Sequence, residues 1–226
     1  MSFSGRHERL GKETIDAVIW DFGGVLTTSP FDAFNRFEKE QGLPPDFIRR
    51  VNATNPDNNA WALFERSEID VNAFDALFAE EAKALGHSVR GAQVIALLAG
   101  DIRPQMVDAL KRCKAHFKVG CITNNVPAGR GPGMTRSADA AARVGEVMAL
   151  FDHVVESSKV GIRKPDPKIY QMACAALGVT PERSVYLDDL GINLKPARAL
   201  GMTTIKVGAP EVALHELEAA VGIGLV

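Results

Sequence analysis

The sequence predicts an α/β protein with a mainly parallel sheet, interrupted just after its first strand by a block of helices. Three observations carry this expectation. Five short runs are nearly continuous in apolar residues: 17–21 (AVIWD), 118–123 (KVGCIT), 153–157 (HVVES), 184–188 (SVYLD) and 203–207 (TTIKV). Such runs suit strands covered on both faces of a sheet. Helical patterns separate the last four, as expected of a doubly wound core. Residues 31–100, in contrast, read as helices alone.

The elements follow in order. Residues 1–15 are polar, lack the apolar core of a signal peptide, and read as a loose extension. The first strand ends on Asp21, with Gly23 and Gly24 directly after it. Within the helical block, residues 31–42 (FDAFNRFEKEQG) stop at Gly42, and residues 52–59 (NATNPDNN) have loop composition. A longer pattern starts behind Asp70, a plausible cap, and sets Val71, Phe74, Leu77, Phe78 and Leu85 on one face. Ligands of open α/β sheets bind beyond the carboxyl ends of the strands, so helices inserted beside Asp21 are expected to hang over a site as a lid. Phe31, Trp61 and Phe64 would supply specificity there, or form the helical core. Residues 126–137 (VPAGRGPGMTRS) match neither glycine-rich phosphate-loop spacing and read as a mobile loop. Pro167–Leu177 is the clearest helix, with Asp166 as N-cap and Pro167 in the first turn. Ile169, Met172, Ala173, Ala176 and Leu177 keep its period, and Gly178 stops it. Asn193–Leu200 repeats this arrangement before Gly201.

Composition narrows the function classes. The 226 residues are 46% hydrophobic, enough for one medium domain or a domain with a smaller insertion. A net charge of −2 without a basic stripe gives no reason to expect nucleic acid or an anionic membrane as partner, and the apolar runs are too short to span a bilayer. The three cysteines, Cys113, Cys121 and Cys174, lack CxxC spacing and read as reduced thiols of a cytoplasmic protein. The five histidines show no zinc-binding spacing.

Chemistry concentrates where the strands end. Asp21 follows the first strand, Thr123, Asn124 and Asn125 the second, Lys159 and Lys164 the third, and Asp188, Asp189 and Asn193 the fourth. Singly, each has an ordinary explanation as a turn, cap or solvated residue; together they converge on one edge. Three crowded carboxylates repel one another unless a divalent cation neutralises them, and hard oxygen ligands select Mg²⁺. A Thr hydroxyl and an Asn amide could hold the same phosphate, and one of the lysines could balance its charge. Asp21 would then be free to attack phosphorus in line.

The stretches DFGGVL, ITNN, GIRKPDPKIY and LDDLGINLKPARALGM, in that order and each after an apolar run, resemble the four motifs of haloacid dehalogenase-like hydrolases. The resemblance implies a Rossmann-like core from residues 16–29 and 101–226, with an inserted α-helical cap over 30–100. It implies Asp21 as nucleophile, Lys164 as the charge-balancing lysine with Lys159 solvated, and Thr123 and Asn124 as phosphoryl-binding groups. Asp21, the carbonyl of Gly23 and Asp189 would hold Mg²⁺, with Asp188 as a supporting or alternate ligand and Asn193 supporting the loop. The implied activity is a phosphatase acting on a phosphorylated small molecule through an aspartyl intermediate. Carbon–halogen hydrolysis, which needs no metal, and non-catalytic binding of a phospholigand or protein are the alternatives. The chain departs from the family at Gly23, where most of its phosphatases carry an acid/base Asp, a function worth about 10²- to 10⁴-fold in rate.

Overall fold

The structure, a computed structural model, describes residues 14–129, 133–135 and 137–225. Most of the expected N-terminal extension and part of the 126–137 loop lie outside the described residues. Five strands, β1 (Ala17–Trp20), β2 (Lys118–Thr123), β3 (His153–Glu156), β4 (Ser184–Asp188) and β5 (Thr203–Lys206), form one parallel sheet in the order β3-β2-β1-β4-β5. The first strand is thus the central one. Trp20 is in register with Cys121 on one side and Leu187 on the other. The ends of β1, β2 and β4 therefore open onto the same edge, where the strand order reverses.

β1 shows why its run is unbroken in apolar residues. Val18 and Trp20 point into one core with Met106, Leu110, Val119, Leu214 and Leu217, while Ala17 and Ile19 point into another with Ile169, Tyr170, Ala173 and Tyr186. Alternate side chains on a strand face opposite ways, so a sheet covered on both faces needs apolar residues at every position. Three strands end one residue before the apolar run does. At Asp21 the backbone N–H still donates to Leu187 O at 2.8 Å, but the chain then turns; Ser157 begins a short helix; Val207 N–H donates to Asp188 O at 3.0 Å.

Helices α1 (Pro30–Glu40), α2 (Phe47–Ala53), α3 (Ala60–Glu65), α4 (Val71–Ala84) and α5 (Gly91–Ile95) lie between β1 and β2, followed by α6 (Pro104–Lys114). The remaining helices are α7 (Ala138–Met148) before β3, α8 (Ser157–Val160) and α9 (Pro167–Leu177) before β4, α10 (Gly191–Ala199) before β5, and α11 (Pro210–Val221) after it. The first five share their own apolar cluster, in which Phe64 stacks on Phe74 at 4.6 Å and Trp61 meets Phe74 edge-on. Phe64 is fully buried, and Phe31 and Trp61 pack against the same cluster; all three belong to the core of the insertion.

The caps of α9 follow the sequence expectation: Asp166 accepts from Lys168 N–H, and Gly178 closes the helix at φ 69°. Asp70 likewise accepts from the N–H groups of Asn72 and Ala73. Other expectations need correction. In α4 the buried stripe is Phe74, Phe78 and Ala82, four residues apart, and Val71 and Leu77 are 42% and 36% exposed. Residues 52–59 are not one loop, because α2 runs to Ala53 and Asn59 caps α3 by accepting from Ala62 N–H. α10 starts two residues before Asn193. Val126 and Thr135, from the supposed mobile loop, are buried, and Val126 joins the cluster of the insertion. Cys113, Cys121 and Cys174 are buried free thiols, and no helix among the described residues is long and apolar enough to cross a membrane.

Candidate active site

β1 delivers Asp21 to the carboxyl edge, β4 delivers Asp188 and Asp189, and the loop between α8 and α9 delivers Lys164. Lys164 is only 1% exposed. Its Nζ lies 2.7 Å from Asp21 Oδ2, 2.9 Å from Asp188 Oδ2 and 3.2 Å from Ile122 O. An ammonium has three protons to place, and a buried one is tolerated only when they are placed; these three acceptors meet that requirement.

Asp188 is saturated. Its Oδ2 also accepts from Tyr186 Oη at 2.5 Å, and its Oδ1 from Leu190 N–H at 2.8 Å, while Asn193 Nδ2 lies 3.1 Å from both oxygens. Asn193 is itself held by Tyr170, whose hydroxyl donates to Asn193 O at 2.7 Å. Asp189 has more freedom, accepting from Ser29 Oγ at 3.3 Å. Asp21 Oδ1 accepts from Phe22 N–H at 2.7 Å. Each of the three aspartates offers an oxygen to a common locus, these atoms lying within 4.8 Å of one another.

Burial drives the titration of this cluster. It pushes Asp21 well above the usual carboxylate range, against the pull of Lys164 and with repulsion from Asp188 and Asp189 added. Burial and the neighbouring Asp188 push Asp189 up to about 6. Burial would lower Lys164, but Asp188 and Asp21 outweigh it and hold the ammonium above the ordinary lysine range. One ammonium against three carboxylates leaves an excess of negative charge, and the donors are all hard oxygens. The residues therefore fit a small divalent cation. Since Asp188 already receives five contacts, Asp21 and Asp189 are the carboxylates with capacity for it.

The two glycines after Asp21 differ. Gly24 has φ +76°, and a Cβ there would stand 2.1 Å from Asp189 Oδ2, so the backbone closes on that carboxylate. Gly23 lies outside the left-handed region, and a Cβ there would meet nothing within 4 Å. A Cβ at Gly23 thus meets neither backbone strain nor a neighbour.

Thr123 is buried at the end of β2. The side-chain amide of Asn124 is committed to Lys164: Lys164 N–H donates to its Oδ1 at 2.8 Å, and its Nδ2 donates to Lys164 O at 3.0 Å. Asn125 turns away, bonding Glu156 and the Ser157–Ser158 turn. Lys159 has a 72% exposed side chain paired with Glu156, apart from the cluster. Tyr186, Ser29 and Glu65 escaped the sequence reading. Tyr186 was within reach, because residues two apart on a strand share a face. Ser29 and Glu65 gave no local signal.

The chain matches the haloacid dehalogenase-like hydrolase family over residues 15–201. It is 34% identical over 236 residues to acyl-CoA dehydrogenase family member 10 of Mus musculus, covering 98% of this chain but only 21% of that protein. It is 32% identical over 204 residues to phosphatase MT3486 of Mycobacterium tuberculosis, covering 84% of this chain and 85% of the phosphatase. Its fold superimposes with TM-score 0.54 and 20% identity on a haloacid dehalogenase family enzyme of Bacteroides thetaiotaomicron solved with magnesium and inorganic phosphate, over 86% of this chain and 95% of that one. Five parallel strands, a buried Lys–Asp cluster at their carboxyl edge and these matches agree: the chain belongs to the haloacid dehalogenase-like hydrolase family.

Proposed function

We propose that this hydrolase is a Mg²⁺-dependent phosphatase of phosphorylated small molecules, acting through an aspartyl phosphate on Asp21. The observation that carries this reading is the buried Lys164, which ties the Asp21 carboxylate to the end of β4. Asp21 and Asp189, with the carbonyl of Gly23, would hold Mg²⁺, which when bound neutralises charge on the site and on a phosphate oxygen. The names of similar proteins, phosphatase MT3486 and the glyceraldehyde 3-phosphate phosphatase of Methanopyrus kandleri, support the substrate class.

The residues would divide the work as follows. Thr123 and the backbone N–H of Asn124 bind the phosphoryl oxygens. Lys164 keeps Asp21 oriented and opposes the negative charge that gathers during transfer. An Asp21 oxygen forms a bond to phosphorus as the ester oxygen leaves with its electron pair and takes a proton from water. Water then attacks the aspartyl phosphate, releasing inorganic phosphate and restoring the carboxylate. Residues 30–100 act as a cap over this edge and limit access of bulk water. With Gly23 in place of the usual acid/base Asp, the second step is the slow one.

The test is phosphate release from a panel of phosphate esters with and without Mg²⁺, alongside rapid-quench detection of acid-stable phosphoprotein. Wild type should show Mg²⁺-dependent release and a burst with p-nitrophenyl phosphate. Asp21→Asn, isosteric but not nucleophilic, should lower release at least about 10³-fold and give no phosphoprotein. Release near the wild-type rate from Asp21→Asn rejects the mechanism. Absence of phosphoprotein and release across the panel favours a phospholigand-binding module, and metal-independent halide release a dehalogenase.

A further inference from the structure

We infer that Glu65, on the helical insertion, is a positioning residue for Lys164, so that the insertion sets the placement of the lysine on which the proposed chemistry depends. This deepens the phosphatase reading and rests on it only for the activity measurement.

Glu65 ends α3, sixth in a helix otherwise made of Ala, Trp, Ala, Leu and Phe, and is 5% exposed. A buried carboxylate is costly unless donors surround it. Its donors come from both sides of the seam. From the insertion, Trp61 Nε1 donates to Oε1 at 2.8 Å. From the core, Arg163 Nε donates to Oε2 at 2.5 Å and Asn124 Nδ2 approaches the same oxygen at 3.4 Å. Arg163 also reaches back to the insertion, its Nη1 donating to Pro56 O at 3.0 Å.

Both core partners control Lys164. Arg163 is its neighbour in the chain. Asn124 holds its backbone at two points, accepting from Lys164 N–H at 2.8 Å and donating to Lys164 O at 3.0 Å. Nδ2 of Asn124 has two protons; Lys164 O takes one, and Glu65 Oε2 lies in position for the other. The Glu65 carboxylate thereby fixes the Asn124 amide in the orientation that matches the Lys164 peptide. The lysine side chain starts from that peptide and ends 2.7 Å from Asp21 Oδ2. A further seam contact, Ser67 Oγ to Ser158 O at 2.7 Å, touches neither Asn124 nor Lys164, so docking of α3 and alignment of Lys164 are separable.

The experiment compares wild type, Glu65→Gln, Glu65→Asp and Glu68→Gln in the full chain. Glu68→Gln breaks the exposed pair with Arg66 beside the same helix and controls for loss of a nearby charge. Three readouts are taken: kcat and KM with the best phosphate ester, melting temperature, and ¹⁵N signals of the Lys164 amide and Nζ. In Glu65→Gln, a carboxylate that accepts from core and insertion becomes an amide with one acceptor oxygen. It should lower kcat about tenfold with KM within twofold, the signature of a reacting group moved by a fraction of an ångström, and should shift both Lys164 signals. Glu65→Asp keeps the charge and should recover part of the kcat loss. Glu68→Gln should match wild type. Lys164 signals unchanged in a folded Glu65→Gln would overturn the inference, as would losses of kcat and melting temperature that Glu65→Asp reproduces in full. If wild type turns over no ester, the phosphatase reading fails, and the Lys164 signals still decide the role of Glu65.

Discussion

At the amino-terminal edge of the sheet, Arg183 pairs with Asp16 at 2.6 Å, and the two side chains are 43% and 36% exposed. At the carboxyl edge, Lys164 pairs with Asp21 at 2.7 Å and Asp188 at 2.9 Å, and the exposures fall to 1%, 9% and 0%. The bond lengths are nearly the same, but the energetics are not. Arg183 and Asp16 stay open to water, so their pairing adds little. Lys164, Asp21 and Asp188 have given up water, and each depends on the others. Burial, more than the presence of opposite charges, separates the edge of the proposed site from the solvated one.

The largest effect should come from cutting each edge in turn. Lys164→Met leaves two carboxylates buried without their cation and should cost about 3–5 kcal/mol in urea unfolding. Arg183→Met should cost less than about 1 kcal/mol. Equal losses would erase the distinction. The next test adds metal. Mg²⁺ at a hundredfold excess over Kd should stabilise wild type by about 2.7 kcal/mol, read as a rise in melting temperature. Asp189→Ala should abolish that rise. Asp152→Ala, which removes a carboxylate at the other edge that accepts from Val119 N–H at 2.8 Å, should leave it intact; the opposite pattern would move the site. The smallest effect sharpens the comparison inside the active edge itself. Gly24→Ala should cost about 1–2 kcal/mol for its left-handed backbone, with the contact to Asp189 added, and should weaken the Mg²⁺ response. Gly23→Asp should fold with melting temperature near wild type and speed the slow phase of p-nitrophenyl phosphate turnover. A Gly23→Asp protein that loses as much stability as Gly24→Ala would show that the space beside Asp21 is not open.

Much of this edge was legible because its elements are local. The strand runs mark themselves by unbroken apolar residues, and α9 by Asp166, Pro167 and Gly178 within a single stretch. Asp21, Lys164 and Asp189 stood at strand ends or in a motif. The unreadable parts depend on distant partners. An acid in a short helix, such as Glu65, looks solvated until Arg163 and Asn124, far along the chain, close over it. The orientation of α4 is set by Phe64 and Trp61 on another helix, and so Val71 and Leu77, apolar in the right period, end up outside. The unequal roles of Gly23 and Gly24 depend on where Asp189 comes to rest, which neither glycine reveals.

The central position of the first strand has a consequence for synthesis. β1 is complete at Trp20, yet its two neighbours end at Thr123 and Asp188. At roughly 5–20 residues per second, the wait between Asp21 and Thr123, the end of the first partner strand to be made, leaving the ribosome is on the order of ten seconds. In that interval Val18, Ile19 and Trp20 have no strand to pair with, and Asp21 is an ordinary solvated carboxylate. Most of the residues made meanwhile are those of the insertion, whose phenylalanines bury mainly against one another. The insertion can therefore gather before the sheet exists, and the reactive edge forms late, when β4 slots in beside β1 and brings its acids to Lys164.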